Sequence, residues 1–182
     1  MKNVCYCRVL RNRFVFIAQI CFLALLPLLV VTACSLTDED NDGEAKEYVV
    51  VGDKVPLFTV ETVLADGTTG MFSTERLTGE TVIVLFNTSC KDCQRELPRL
   101  NSYYLQHRSE PGFQMVAISR AEDGESVAAY WSEQELSIPY SAQPDRRIYE
   151  LFASSVIPRV YFCGADGTIT RMFVEVIGDQ EL

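Results

Sequence analysis

The stretch Thr81-Val-Ile-Val-Leu-Phe-Asn-Thr-Ser-Cys-Lys-Asp-Cys-Gln-Arg-Glu-Leu-Pro98 changes its pattern halfway along. From Thr81 to Asn87 it is a β-branched, apolar run without polar alternation, which suits a central strand covered on both faces. From Cys93 the spacing becomes helical: Leu97, Leu100 and Tyr104 recur with Arg95, Glu96, Arg99 and Asn101 between them. Cys90 and Cys93 therefore sit where a buried strand turns into an amphipathic helix, which Pro98 is expected to kink about one turn in.

Working outward, Phe113 to Ile118 reads as a second apolar strand, and Ser126 to Leu136 has helical spacing through Val127, Tyr130 and Trp131. A short helix is expected over Arg146–Phe152. Val160 to Cys163 and Ile169 to Val176 read as two strands joined by the tight turn Gly164-Ala-Asp-Gly167. Upstream, Pro56 to Val63 and the Asp66-Gly67 turn suggest an opening hairpin. The order ββαβαββ, with helices between strands and no internal repeat, indicates an α/β sheet domain.

The bulk properties agree with one domain plus a targeting segment in 182 residues. An apolar fraction of 48% with ten Phe and eight Tyr is ample for a packed core, which excludes collagen-like, disulfide-knot and disordered classes. A net charge of −9 argues against nucleic acid, whose phosphates require clustered Lys and Arg. That charge is unevenly placed: residues 1–33 hold Lys2, Arg8, Arg11 and Arg13 and no acid, so the remainder is more acidic still.

The basic start is followed by an apolar run from Phe14 to Val31, broken only by Gln19 and Pro27, which is the layout of a secretory signal. A run of this length could instead remain as an uncleaved membrane helix. Either way the domain is expected outside the cytoplasm. The run ends in Val31-Thr32-Ala33-Cys34, which resembles the lipobox of bacterial lipoproteins. The resemblance implies a signal peptide over 1–33 and lipidation of Cys34, which anchors the protein to a membrane of the cell envelope. The outer membrane is expected, with the domain facing the periplasm or the cell surface. Residues 34–48 then read as a lipidated cysteine and an acidic, flexible tether, and 49–182 as the domain. The acids after Cys34 also resemble surface-export signals of lipoproteins in the Bacteroidetes group.

Of seven cysteines, Cys5, Cys7 and Cys21 leave with the signal and Cys34 is taken by lipid, so Cys90, Cys93 and Cys163 remain as thiols. Three do not make a disulfide scaffold. A zinc site would need further Cys or His ligands, and His107 is the only histidine. A c-type haem attachment would need His where Gln94 stands. No metal and no cofactor is expected.

The motif order resembles thioredoxin-like proteins, and most closely the TlpA/ResA-like envelope disulfide reductases, over about residues 51–178. Val51-Gly-Asp-Lys-Val-Pro-Leu-Phe58 looks like that family's entry segment, Leu85 to Pro98 like its active-site strand and helix, and Val156-Ile-Pro-Arg-Val-Tyr-Phe162 with Asp166-Gly167 like its cis-proline loop and final hairpin. The resemblance implies a thioredoxin-like α/β fold: a central mixed sheet flanked by helices, with an N-terminal hairpin extension and a short or missing C-terminal helix. It also implies a cis peptide before Pro158 and a substrate-binding role for Ile157, Pro158 and Arg159. Arg159 would then lie near the sulfurs, or else be a solvated side chain. Departures from the family pattern are Ser89 and Phe86 where Trp is usual, Val84 at the place of a buried Asp, and Arg159 where Thr is common.

The resemblance makes Cys90 the attacking thiolate and Cys93, one turn on, the resolving thiol of a thiol-disulfide oxidoreductase. A helix N-terminus favours negative charge. Lys91 reinforces this and Asp92 opposes it. The implied partners are disulfide-bearing envelope proteins and a membrane or periplasmic thiol donor. Cys163 is expected to be a buried small apolar residue, His107 a surface residue about 20 Å from the pair, and Glu96 either a match to a Glu of the family motif or part of a solvated face. Among rivals, a peroxiredoxin-like peroxidase wants Thr where Asn87 stands, and copper delivery wants a wider Cys spacing with a distant His. A non-catalytic binding lipoprotein remains the serious alternative because Ser89 replaces Trp.

Overall fold

The computed structural model describes residues 45–178 and 182. The expected signal segment, Cys34 and the tether up to residue 44 lie outside the described residues. Among those described, no helix is long and apolar enough to cross a membrane.

Among the described residues, seven strands form one mixed sheet: β1 (Thr59–Val63), β2 (Thr69–Ser73), β3 (Thr81–Phe86), β4 (Gln114–Ser119), β5 (Tyr140–Ser141), β6 (Arg159–Cys163) and β7 (Ile169–Val174), in the spatial order β2-β1-β5-β4-β3-β6-β7. Helix α1 (Lys91–His107) connects β3 to its parallel neighbour β4, and α2 (Gly124–Glu133) connects β4 to β5, also parallel. Two crossovers of the same hand moving the same way across a sheet leave both helices on one face. The remaining pairings are antiparallel, with β1–β2 forming the N-terminal hairpin at one end and β6–β7 the final hairpin at the other. The thioredoxin-like mixed sheet is as anticipated. Of its seven strands only β5 lies beyond the segments read as strands from the sequence; the order ββαβαββ counts five of those six segments.

The continuous apolar run does what its composition dictates. Every residue of β3 is buried, with Val82 to Phe86 fully inaccessible, each such side chain contributing about 1.5–3 kcal/mol. Direct pairing of Val82 with Phe162 and Ile83 with Tyr161 sets the two faces by alternation. Phe162 meets Tyr103 of α1 edge-on and Phe86 packs on Trp131 of α2, which marks the helical face. Tyr161 packs on Phe152, which meets Phe58 in turn, on the other face. That second face is covered by the entry segment and by a single 3-10 turn, Tyr149–Leu151.

The helix expected over Arg146–Phe152 is reduced to that turn. Pro144 precedes it, and Ala153 and Ser154 are already engaged with the N-terminal segment: Glu47 bridges Ala153, Tyr48 N–H donates to Phe152 O at 2.9 Å, and Ser154 N–H donates to Lys46 O at 3.0 Å. The same bonds correct the domain boundary. Residues 46–48, expected in the flexible tether, are bonded to the domain. Helix α1 also continues through Pro98 to His107. Burial of Leu97, Leu100 and Tyr103 on its inner face offsets the roughly 3 kcal/mol that an interior proline costs. No helix follows β7 among the described residues.

Candidate active site

Cys90 is the N-cap of α1. Its backbone is extended (φ −81°, ψ 120°), and its sulfur accepts the N–H of Cys93 at 3.5 Å, one of the first-turn donors that a helix leaves unpaired. The turn leading to it is fastened on both sides. Asn87 Oδ1 accepts from Ser89 N at 2.9 Å and Asn87 Nδ2 donates to Arg120 O at 3.2 Å. Glu122, from the loop after β4, accepts from Thr88 N at 2.9 Å and from the Thr88 hydroxyl. Gln94 Nε2 donates to Thr88 O at 2.7 Å. Glu122 was not singled out in the sequence, and no local pattern marks a residue 34 positions from its partner.

The two cysteines are not equivalent. Cys90 is half-buried, whereas Cys93 is fully buried, and both are free thiols. Burial pushes the Cys93 thiol far above its ordinary range and the neighbouring Cys90 sulfur adds to this, while the Asn87 backbone and the Arg120 charge offset it only in part. Cys163 lies on β6 opposite Thr81, is buried, and is likewise pushed up, to about 12, by burial. It takes no part in the site.

Antiparallel pairing of β3 with β6 brings the second half of the site to the first. Leu85 pairs with Arg159, so the residues just before β6 come alongside those just after β3. The Ile157–Pro158 peptide is cis. The Cys90 thiol donates to Ile157 O at 3.6 Å, a weak contact suited to sulfur. The three preceding carbonyls are held by guanidinium groups. Arg146 Nη2 donates to Ser154 O at 2.6 Å, Arg159 Nη2 to Ser155 O at 2.6 Å, and Arg159 Nε to Val156 O at 2.9 Å. The Tyr149 hydroxyl adds a bond to Val156 O at 2.8 Å. Glu175 N–H takes Pro158 O at 2.9 Å. Val156 itself has φ +72°, costly for a β-branched residue.

Arg159 is therefore corrected on both counts. Its side chain has no solvent exposure, and alternation puts it on the face away from α1, paired with Glu47. It neither shares the α1 face with the sulfurs nor points into water. Burial works against its charge, but the Glu47 carboxylate and the Tyr149 hydroxyl outweigh that and hold its pKa above the ordinary value. Of the two readings of Glu96 the solvated face is removed: it is buried, bonded to Arg95 Nε at 3.0 Å and Arg99 Nη1 at 2.7 Å. Arg99 donates onward to Ile177 O at 2.7 Å and Gly178 O at 3.3 Å, so the residues after β7 are tied across α1. His107 stacks on Tyr103 at 4.1 Å and bonds Glu110, at the far end of α1.

A family model described as the AhpC/TSA family matches residues 51–172. The thiol-disulfide oxidoreductase ResA of Oceanobacillus iheyensis is 26% identical over 163 residues, covering 89% of this chain and 81% of that one. Its namesake in Bacillus thuringiensis strain Al Hakam is 23% identical over the same length. Among solved structures, a putative protein disulfide isomerase from Bacteroides thetaiotaomicron superposes with a TM-score of 0.64 at 22% identity, covering 72% of this chain and 82% of that one. StoA from Bacillus subtilis gives 0.53 at 18%, covering 67% and 90%.

Proposed function

The chain belongs to the AhpC/TSA family, and from that premise we propose that it is a thiol-disulfide oxidoreductase of the TlpA/ResA-like type that reduces protein disulfides through the Cys90-Lys-Asp-Cys93 motif. One observation carries the reading: a half-exposed sulfur caps a helix and faces the Ile157 carbonyl, with a buried thiol one turn behind it. In the first step the Cys90 thiolate attacks one sulfur of a substrate disulfide. The Cys90–substrate bond forms, the substrate S–S bond breaks, and one substrate thiolate leaves. Cys93 then loses its proton and attacks the Cys90 sulfur, which releases the second substrate thiol and leaves Cys90–Cys93 oxidised. Two electrons from an external thiol donor restore the dithiol.

Ile157 and Pro158 line the approach to Cys90, and the Ile157 backbone serves as the substrate-docking edge. The domain works in the cell envelope, anchored through lipid on Cys34 and exposed to the periplasm or the cell surface. Its substrates are disulfide-bearing envelope proteins, and its donor is a membrane or periplasmic thiol.

Insulin reduction by the protein in the presence of a thiol donor tests the reading. A rate no higher than that of the thiol donor alone, matched by Cys90→Ser, would remove it and leave a non-catalytic thioredoxin-like binding lipoprotein.

A further inference from the structure

The motif accounts for Cys90 and Cys93 but leaves unexplained a fully buried guanidinium, Arg159, spent on backbone carbonyls 112 positions from its carboxylate partner. Both of the loop carbonyls that Arg159 binds, Ser155 O and Val156 O, immediately precede the one that faces the reactive sulfur, Ile157 O. With Ser154 O on Arg146 and Pro158 O on Glu175, Ile157 is the member of this series of five turned toward Cys90. Val156 adopts a left-handed φ of +72° within that series, a conformation that persists only where surrounding bonds over-determine it. Arg159 and Tyr149 supply those bonds.

Arg159 is in turn held by Glu47. That residue comes from the segment just before the domain's first strand, and this segment is pinned at three points: Lys46 N to Ser154 Oγ at 2.8 Å, Ser154 N to Lys46 O at 3.0 Å, and Tyr48 N to Phe152 O at 2.9 Å. A planar guanidinium can grip two carbonyls and one carboxylate at once, because its five N–H groups diverge in a fixed fork. The carboxylate also neutralises a charge that would otherwise stand alone beneath the sheet, which is strongly unfavourable.

We infer that Glu47 and Arg159 are positioning residues for thiol-disulfide exchange: the N-terminal segment clamps the Ser154–Ile157 loop from behind and so fixes the docking edge that presents a protein disulfide to Cys90. This inference rests on the thiol-disulfide reading above. The clamp acts on the backbone that an extended substrate meets. A disulfide too small to meet that backbone reacts with Cys90 without needing it.

The full-length protein and its Glu47→Ala variant separate these effects with two probes, insulin and Ellman's reagent. The clamp requires Glu47→Ala to raise KM for insulin about tenfold, as small displacements of positioning groups do, with kcat within about twofold. The rate with Ellman's reagent stays within about twofold. Hydrogen exchange in the peptide spanning residues 152–158 accelerates about tenfold, and that in β3 does not. Glu47→Gln keeps an acceptor oxygen without the charge, shows the same pattern to a smaller degree, and carries the test if the alanine variant does not fold. An unchanged KM for insulin, or an equal loss on both substrates, would overturn the clamp, since lost folded protein reduces both rates alike. If instead the unaltered protein reduces neither probe, or Cys90→Ser matches it, the fault lies with the chemistry assigned to Cys90 and both readings fall together.

Discussion

The Cys90 thiol meets the carbonyl oxygen of Ile157 at 3.6 Å although the two residues stand 67 positions apart. The contact is a product of sheet register. With Leu85 opposite Arg159, the chain leaving β3 and the chain entering β6 are carried to the same end of the sheet, one bearing the sulfur and the other a turned-out carbonyl.

Exposure at that end of the sheet separates the thiols. Brief alkylation of the reduced protein near neutral pH, mapped by mass spectrometry, is expected to modify Cys90 at least ~10-fold faster than Cys93 or Cys163, which are sealed from solvent. The Cys93→Ser variant should accumulate mixed disulfides between Cys90 and its substrates, because resolution is lost while attack is retained. Equal labelling of all three thiols would contradict the buried placement of the other two.

Glu96 governs a different property. It joins Arg95 and Arg99, and Arg99 holds the Ile177 and Gly178 carbonyls. Glu96→Ala leaves two arginines without their shared carboxylate. Both are partly exposed, so the cost falls below that of a wholly buried pair, at about 1–3 kcal/mol in urea unfolding. Loosening should concentrate in residues 175–178, read as faster hydrogen exchange there than in β3. A variant as stable as the parent would show that the pairing contributes nothing.

Alkaline pH should weaken the fold from about pH 9 upward. The Cys163 thiol, ordinarily titrating at 9.0, is pushed up to about 12 by burial. Above 9 the unfolded chain gives up that proton while the folded chain keeps it, so the unfolded state binds fewer protons and stability falls as pH rises. The slope reaches up to ~1.4 kcal/mol per pH unit for one group. Cys93 acts in the same sense, and Tyr103 and Tyr161, both raised to about 12 from 10.0 chiefly by burial, join above pH 10. Below pH 9 the contribution of Cys163 is constant. Cys163→Ala should flatten the stability curve between pH 9 and 10; a curve parallel to that of the unaltered protein would count against the assignment.

Tyr161 offers a change in the opposite direction. Its hydroxyl is buried beside the Arg159 guanidinium, which acts on it electrostatically, but it makes no hydrogen bond of normal geometry among the described residues. Tyr161→Phe removes an unsatisfied polar group without opening a large cavity, and is expected to leave stability unchanged or raise it by about 1 kcal/mol. A loss of similar size in chemical denaturation would mean that the hydroxyl is bonded after all.

Much of this was legible in the sequence, for definable reasons. β3 and α1 announce themselves because burial on two faces and burial on one face leave different periodicities, and the Cys pair marks the junction. The hairpins follow from Asp66-Gly67 and Asp166-Gly167, where Gly67 and Gly167 take positive φ. β5 was invisible: two residues, Tyr140 and Ser141, have no period. Glu47, Glu122 and Arg159 were misread or missed because a charged residue in isolation reads as solvated. What buries them is a partner supplied by another part of the chain, and a single sequence does not display that pairing.

The seclusion of Cys93 bears on chemical wear. Sulfur exposed to oxidants advances from sulfenic acid to states that thiols do not reverse. Of the three thiols among the described residues, only Cys90 meets an oxidant arriving from solvent, while its neighbour stays intact beneath the surface. A sulfenic acid on Cys90 can condense with that spared thiol, expelling water and closing the pair before further oxygen is added. The packing that hides one sulfur thus keeps an unspent reserve beside the vulnerable one.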